Sequence, residues 1–239
     1  MFYYLLSGLM TYNIILVAAA VVPAVILMIK VSRSDRLDPE PPAMLRELVK
    51  AGVLSALIAL VEERVLCALL DLALPKSSTW YNVILYFGIV AFAEESSKYL
   101  MLKRHSWLSP EFNCQFDGLV YAVFVSLGFA LWENISYVLH FGFQTAIVRS
   151  LTAIPGHACF GVFMGAFYGL ARRSENRGET GKSKLLRTLS VLVPILLHGS
   201  YDYIASVGGN ALYFFAFVAV LFLISYRYVA KASKQDRYI

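Results

Sequence analysis

The chain predicts an all-α fold, a polytopic membrane helix bundle, on three observations. Of its 239 residues, 59% are hydrophobic and 15% charged, and the mean hydropathy is +0.63, far from the usage of soluble domains. Seven apolar stretches approach the roughly 20 residues that span a hydrocarbon core as helix. Lys and Arg cluster in loops at alternate ends of these stretches, as membrane topology requires.

The stretches lie at about 10–29, 48–72, 80–101, 116–139, 149–171, 185–206 and 211–230. The first has no basic residue ahead of it, so no cleavable leader is expected. It is followed by "RSDRLDPEPP", whose prolines and charges exclude a continuous helix and mark a polar connector. The second stretch carries Glu62, Glu63 and Arg64 near its middle, read as an ion pair with a neighbouring helix. The third opens on Trp80 and Tyr81, suited to a membrane interface, and contains "EESSK" with Glu94, Glu95 and Lys98. Asp117 starts the fourth, where the helix dipole favours a carboxylate, and "FALWEN" within it supplies Glu133 and Asn134. The fifth reads "PGHACFG", with His157 in line with Gly161, Gly165 and Gly169. After the polar loop "SENRGETGKSK", the sixth carries His198 and Asp202 in "HGSYDY". The seventh ends among Tyr226 and Tyr228, a second set of interface aromatics.

With seven spans, 18 of the 21 basic residues fall on one side, which places the N-terminus outside and the C-terminus in the cytoplasm. Only Lys76 and Arg149 lie opposite, and Arg64 lies within a span. The formal charge of +5 therefore reflects topology and gives no reason to expect a nucleic-acid partner. Cys67, Cys114 and Cys159 have neither disulfide-framework nor metal-ligand spacing. Residues 1–239 read as one membrane domain whose immediate partner is the lipid bilayer, and its oligomeric state is open.

Ionisable side chains in hydrocarbon are costly, so they default to functional candidates facing the bundle interior. Glu94 and Lys98 are four residues apart and Glu95 and Lys98 three, so the lysine can neutralise one carboxylate and leave the other for chemistry. His198 and Asp202 share a helix face, where the carboxylate can orient the imidazole. The stripe of small residues beneath His157 permits close helix packing, so His157 faces another helix. A Glu–Lys pair or one histidine alone is ordinary structural glue. Four successive spans that each contribute acid, amide or imidazole groups argue instead for a common site.

In this order, "EESSK", "FALWEN", the fifth-span His157 and "HGSYD" resemble the motifs of the PrsW-type intramembrane proteases, distant relatives of the CAAX prenyl proteases. "DRLDPEPP" and "DGLVYAVFVSLGFA" resemble further segments of that family, and the resemblance runs from about residue 30 to 205. It implies hydrolysis of a single-pass membrane protein in a bacterial cell membrane, an anti-sigma factor being the best-known substrate class, at a membrane-proximal, extracytoplasmic site. Carried over by motif, Glu94 is the general base, Glu95 pairs with Lys98, and His198 and Asp202 form the last motif. Glu133 stands where the CAAX proteases have a histidine, so His157 becomes the candidate partner of Glu94. The catalytic set is then Glu94, Glu95, Glu133, His157 and His198, supported by Lys98, Asn134 and Asp202, with no metal or other cofactor expected.

Three other readings compete with it. The same Glu and His groups can ligate zinc, which makes a metal-dependent protease the nearest alternative, although no HExxH is present. His157 and His198 can ligate haem, but a retinal protein would need a lysine that the last span lacks before Lys231. A proton-coupled transporter also uses buried Glu and His, but typically with broken helices paired between two halves.

Overall fold

The computed structural model describes residues 2–207 and 209–239, with side chains from Ile14 onward. The side chains of residues 10–13, at the start of the first expected stretch, thus lie outside the described ones. Each of the seven stretches falls on a helical segment, and no strand occurs among the described residues, where Cys114 and Tyr238 form an isolated bridge.

Helix α1 spans Phe2–Ser32 and ends before the proline-rich connector, and α2 follows as Pro42–Ala73. Proline suits a first helical turn, where its missing N–H costs nothing, so α2 begins at Pro42 rather than near residue 48. The third stretch is composite: α3 is Tyr81–Val83, a π-helical segment covers Ile84–Val90, and α4 is Ala91–Ser106. Then come α5 (Asp117–Phe141), α6 (Phe143–Leu151), α7 (Ala153–Asn176), α8 (Thr180–Val207) and α9 (Ala211–Lys234). The expected fifth span at 149–171 is therefore displaced. Gly142, at φ 82°, turns the chain into a short amphipathic α6, and Thr152 breaks helical geometry before α7 begins.

Helix α5 is the centre of the bundle, buried on every side from Asp117 to Ala130 and packed among α1, α2, α4 and α7. Glycines make this possible. A Cβ on Gly128 would lie 3.0 Å from the Val49 Cα of α2, and one on Gly161 would lie 3.0 Å from the Val123 Cα of α5. Gly165 and Gly169 meet the α5 backbone and the residues leading into it in the same way, so the stripe below His157 is the α5–α7 seam.

Among the described residues, four segments are long and apolar enough to cross a membrane: Ile14–Ser32, Asp117–Phe141, Phe143–Asn176 and Ala211–Lys234. Helices α2, α4 and α8 are less apolar because they carry Glu62–Arg64, Glu94, Glu95 and Lys98, and His198 and Asp202. Large side chains such as Ile26, Leu72, Leu196 and Leu212 point outward, as lipid-facing groups do. At the opposite end of α5 from Glu133, the C-terminal tail docks on the residues before α5. Gln115 N donates to Arg237 O (3.0 Å), Phe116 N to Asp236 Oδ1 (2.9 Å) and Ile239 N to Asn113 O (2.8 Å).

Candidate active site

Glu94 ends the first turn of α4 and Glu95 begins the second, directly after the π-helical segment, a feature often found beside functional residues. Helical spacing brings Lys98 under both: its Nζ donates to Glu95 Oε1 at 2.7 Å and to Glu94 Oε2 at 3.1 Å. The lysine thus reaches both carboxylates, whereas the spacing alone left one of them free. Lys98 is fully buried and its ammonium lies 3.9 Å from the Phe129 ring centroid, a cation–π contact.

Two histidines close on this triad. His198 Nδ1 donates to Glu95 Oε1 (2.8 Å), lies 3.8 Å from Glu94 Oε2, and its Nε2 faces Asp202 Oδ2 at 3.4 Å. Its ring stacks on Phe160, 4.7 Å between centroids, which holds the imidazole plane. His157 Nδ1 lies 3.2 Å from the Lys98 ammonium, which has only protons to offer, so Nδ1 accepts and Nε2–H donates to Glu133 Oε2 at 2.8 Å. The two rings are 5.5 Å apart. His157 therefore hydrogen-bonds Glu133 rather than Glu94, and His198 is the imidazole nearer to Glu94.

A cavity of about 650 Å³ opens on this cluster. Glu94, Glu133, His157, His198 and Asp202 line it, while Glu95 and Lys98 lie behind them. Asn134 is turned away: its Nδ2 donates to Ala20 O of α1 (3.1 Å), and its Oδ1 accepts from Arg149 Nε (2.9 Å). Arg149 was not among the residues expected at the site, because the spacing put it at a span end. It reaches from α6 to Glu133 Oε2 at 3.0 Å. Only the fold could show this, since α6 doubles back over the end of α5. The "EER" of α2 also joins the site: Ser97 Oγ donates to Glu62 Oε2 (3.3 Å), and Glu63 and Arg64 line the cavity.

Glu94, Glu95 and His198 each offer one donor atom, all within 4.8 Å of one another, and Glu95 Oε2 is buried without a hydrogen bond. Two carboxylates and an imidazole suit a catalytic divalent metal in kind. In competition with such an ion, the Lys98 ammonium already contacts both carboxylates.

Residues 40–226 match the model of a family described as "PrsW family intramembrane metalloprotease". The chain is similar to Protease PrsW of Bacillus subtilis (strain 168), 33% identical over 218 residues that cover 91% of this chain and 95% of that protein. Protease PrsW of Geobacillus kaustophilus (strain HTA426) is 32% identical over 189 residues, 79% of each chain. Protease PrsW of Shouchella clausii (strain KSM-K16) is 34% identical over 150 residues, 62% of this chain and 67% of that one. No solved structure matches the chain. The buried Glu, Lys and His cluster, the apolar helices and these relatives lead to one conclusion: the chain is a multi-pass membrane protein that belongs to the PrsW family of intramembrane proteases.

Proposed function

We propose that this single membrane domain, residues 1–239, hydrolyses a peptide bond of a single-pass membrane protein, with Glu94 activating the attacking water. The observation that carries the reading is that Glu94 is the member of the glutamate pair lining the 650 Å³ cavity, while Glu95 and Lys98 are buried behind it. Glu94 takes one proton from water as its oxygen attacks the scissile carbonyl carbon. The developing oxyanion is stabilised by the His198 imidazolium, held at Nδ1 by Glu95 and with Nε2–H beside Asp202, while His157, engaged on both nitrogens by Lys98 and Glu133, fixes the wall of the cavity. As the C–N bond breaks, Glu94 returns its proton to the leaving amine. The polar lining keeps water in the bundle and satisfies the backbone of an unwound substrate, which lipid could not do.

The topology we favour has seven spans, with the N-terminus outside and the C-terminus cytoplasmic, supported by the 17 of 21 Lys and Arg that lie on one side once Lys98, buried in the site, is left out. In that frame the cavity, which runs to His140, Arg149 and Ser206, opens at the extracytoplasmic end. Cleavage close to that membrane face follows, and the resemblance to PrsW-type proteases suggests an anti-sigma factor as substrate.

The Glu94, Glu95 and His198 donor set and the family description favour a second reading, a metalloprotease. In that case those three residues would hold a divalent cation, which when bound would polarise the scissile carbonyl as a Lewis acid.

The test is cleavage of a panel of tagged single-pass proteins by purified enzyme in liposomes, with and without chelator. Glu94→Gln is expected to lower kcat at least about 10²-fold. Chelator-insensitive cleavage that is lost in Glu94→Gln supports the glutamate reading. Loss in chelator with recovery on added metal moves the assignment to the metal reading, and full activity in Glu94→Gln overturns both.

A further inference from the structure

At the end of α5 remote from the cavity, three carboxylates from separate parts of the chain converge without a counter-charge. Asp35 and Glu40 come from the connector after α1, and Asp117 from the first residue of α5. One oxygen from each lies within 4.8 Å of the others, and all three side chains are buried, at 4%, 8% and 0% exposure. Among the described residues none of them makes an ion pair. Asp117 and Glu133 are sixteen residues apart on α5, about 24 Å at helical rise, so this cluster is separate from the protease site.

Buried carboxylates normally carry a cation or several donated hydrogen bonds. Asp117 Oδ2 accepts from the backbone N–H of Asn113 (3.0 Å) and Cys114 (2.6 Å). The other oxygens are different: Asp117 Oδ1, Glu40 Oε2 and both oxygens of Asp35 have no partner. Asp35 is thus an acid, 96% buried, with no cation or side-chain donor against it and only the backbone N–H groups of Asp38 and Glu40 nearby, aimed at two further carboxylates. Around it, the buried Tyr121 hydroxyl faces Glu40, and Asp236 Oδ2 is buried without a hydrogen bond.

We propose that Asp35, Glu40 and Asp117 form a binding site for a hard divalent cation, calcium or magnesium. The donors are all oxygens, come from different elements and include several free carboxylate lone pairs, the pattern those ions require and softer metals do not. The bound ion would tie the connector after α1 to the start of α5. The tail docked on the same loop, with Asp236 accepting from Phe116 N, would be held by the same charge. The role is structural and independent of which protease mechanism holds.

The test uses the full chain, purified in detergent and stripped with chelator, then titrated with Ca²⁺ or Mg²⁺ while the unfolding midpoint is followed. Wild type is expected to gain about 5–10 °C at a hundredfold excess over Kd. Asp35→Asn and Glu40→Gln should abolish the gain, and in chelator they should unfold at or above the wild-type midpoint, because they remove repulsion. A Glu94→Gln, Glu95→Gln double variant should keep the gain. Tb³⁺ luminescence excited through tyrosine, with Tyr121 beside the site, should appear in wild type, be competed by Ca²⁺ or Mg²⁺, and vanish in Glu40→Gln. The proposal is overturned if wild type gains no stability from either cation, if the gain survives in Asp35→Asn and Glu40→Gln, or if it disappears in the Glu94, Glu95 variant. Wild-type Tb³⁺ luminescence that neither cation competes would overturn it as well.

Discussion

Arg149 Nη2 lies 3.0 Å from Glu133 Oε2, so a basic residue on the short α6 neutralises a carboxylate that also accepts from His157. Because Arg149 donates through Nε to Asn134 as well, one guanidinium fixes the end of α5, and with it the orientation of His157. Arg149→Met is expected to cost about 2–3 kcal/mol, since it leaves Glu133 partly buried with a neutral imidazole as its remaining partner. Arg149→Lys should recover part of the loss, because it restores the charge without the fork. Thermal unfolding in detergent would check both, and equal midpoints for wild type and Arg149→Met would refute the assignment.

Lys98 supplies the positive charge for two buried carboxylates, so Lys98→Met should be among the most damaging single changes, costing about 3–5 kcal/mol. Adding Glu95→Gln should return much of that stability by removing the stranded charge. A double-mutant cycle read by denaturant unfolding would show the coupling, and strict additivity would contradict it.

The α5–α7 seam predicts a contrast between two glycines. Gly165→Ala would press a methyl onto the Leu119 Cα and Gly118 O of α5 and is expected to cost about 1–3 kcal/mol. Gly181→Ala, in the first turn of α8 with nothing within 4 Å of the added carbon, is expected to be neutral or to stabilise by up to about 1 kcal/mol. Unfolding midpoints of the two variants should move in opposite directions or differ clearly in size.

The topology is open to a direct measurement. In a Cys67→Ser background, a cysteine at Ser77 should react with a membrane-impermeant maleimide on intact cells, and one at Gly181 only after permeabilisation. Both positions are exposed, between α2 and α3 and at the start of α8. The reverse labelling pattern would invert the orientation, and with it the side of cleavage.

Most helices, and the meeting of Glu94, Glu95, Lys98, Glu133, His157 and His198, were legible in the sequence, because hydropathy and i,i+3 and i,i+4 spacings act locally. The His157 face was legible too, since small residues every fourth position specify a close-packed seam. What escaped depended on tertiary folding. The π-helical turn before Glu94 has no sequence signature, and the chain reversal at Gly142 that brings Arg149 to Glu133 needs a φ that sequence spacing does not reveal. Asn134 sits beside Glu133 in its motif, yet helical rotation points it at α1. The convergence of Asp35, Glu40 and Asp117 likewise joins residues more than seventy positions apart, which no single-sequence pattern connects.

The π-helical turn at Ile84–Val90 has a consequence for how this span tolerates change. A π turn holds one residue more than the surrounding helix would, so side chains before and after it are out of phase by about 100°. Deleting one residue there would let the segment relax to an ordinary helix and swing Tyr81–Val83 around the axis, while Glu94, Glu95 and Lys98 kept their footing against α5 and α8. The turn therefore works as a swivel joint in the primary structure: a one-residue length change there can be absorbed as rotation of Tyr81–Val83 without displacing the candidate site residues on α4.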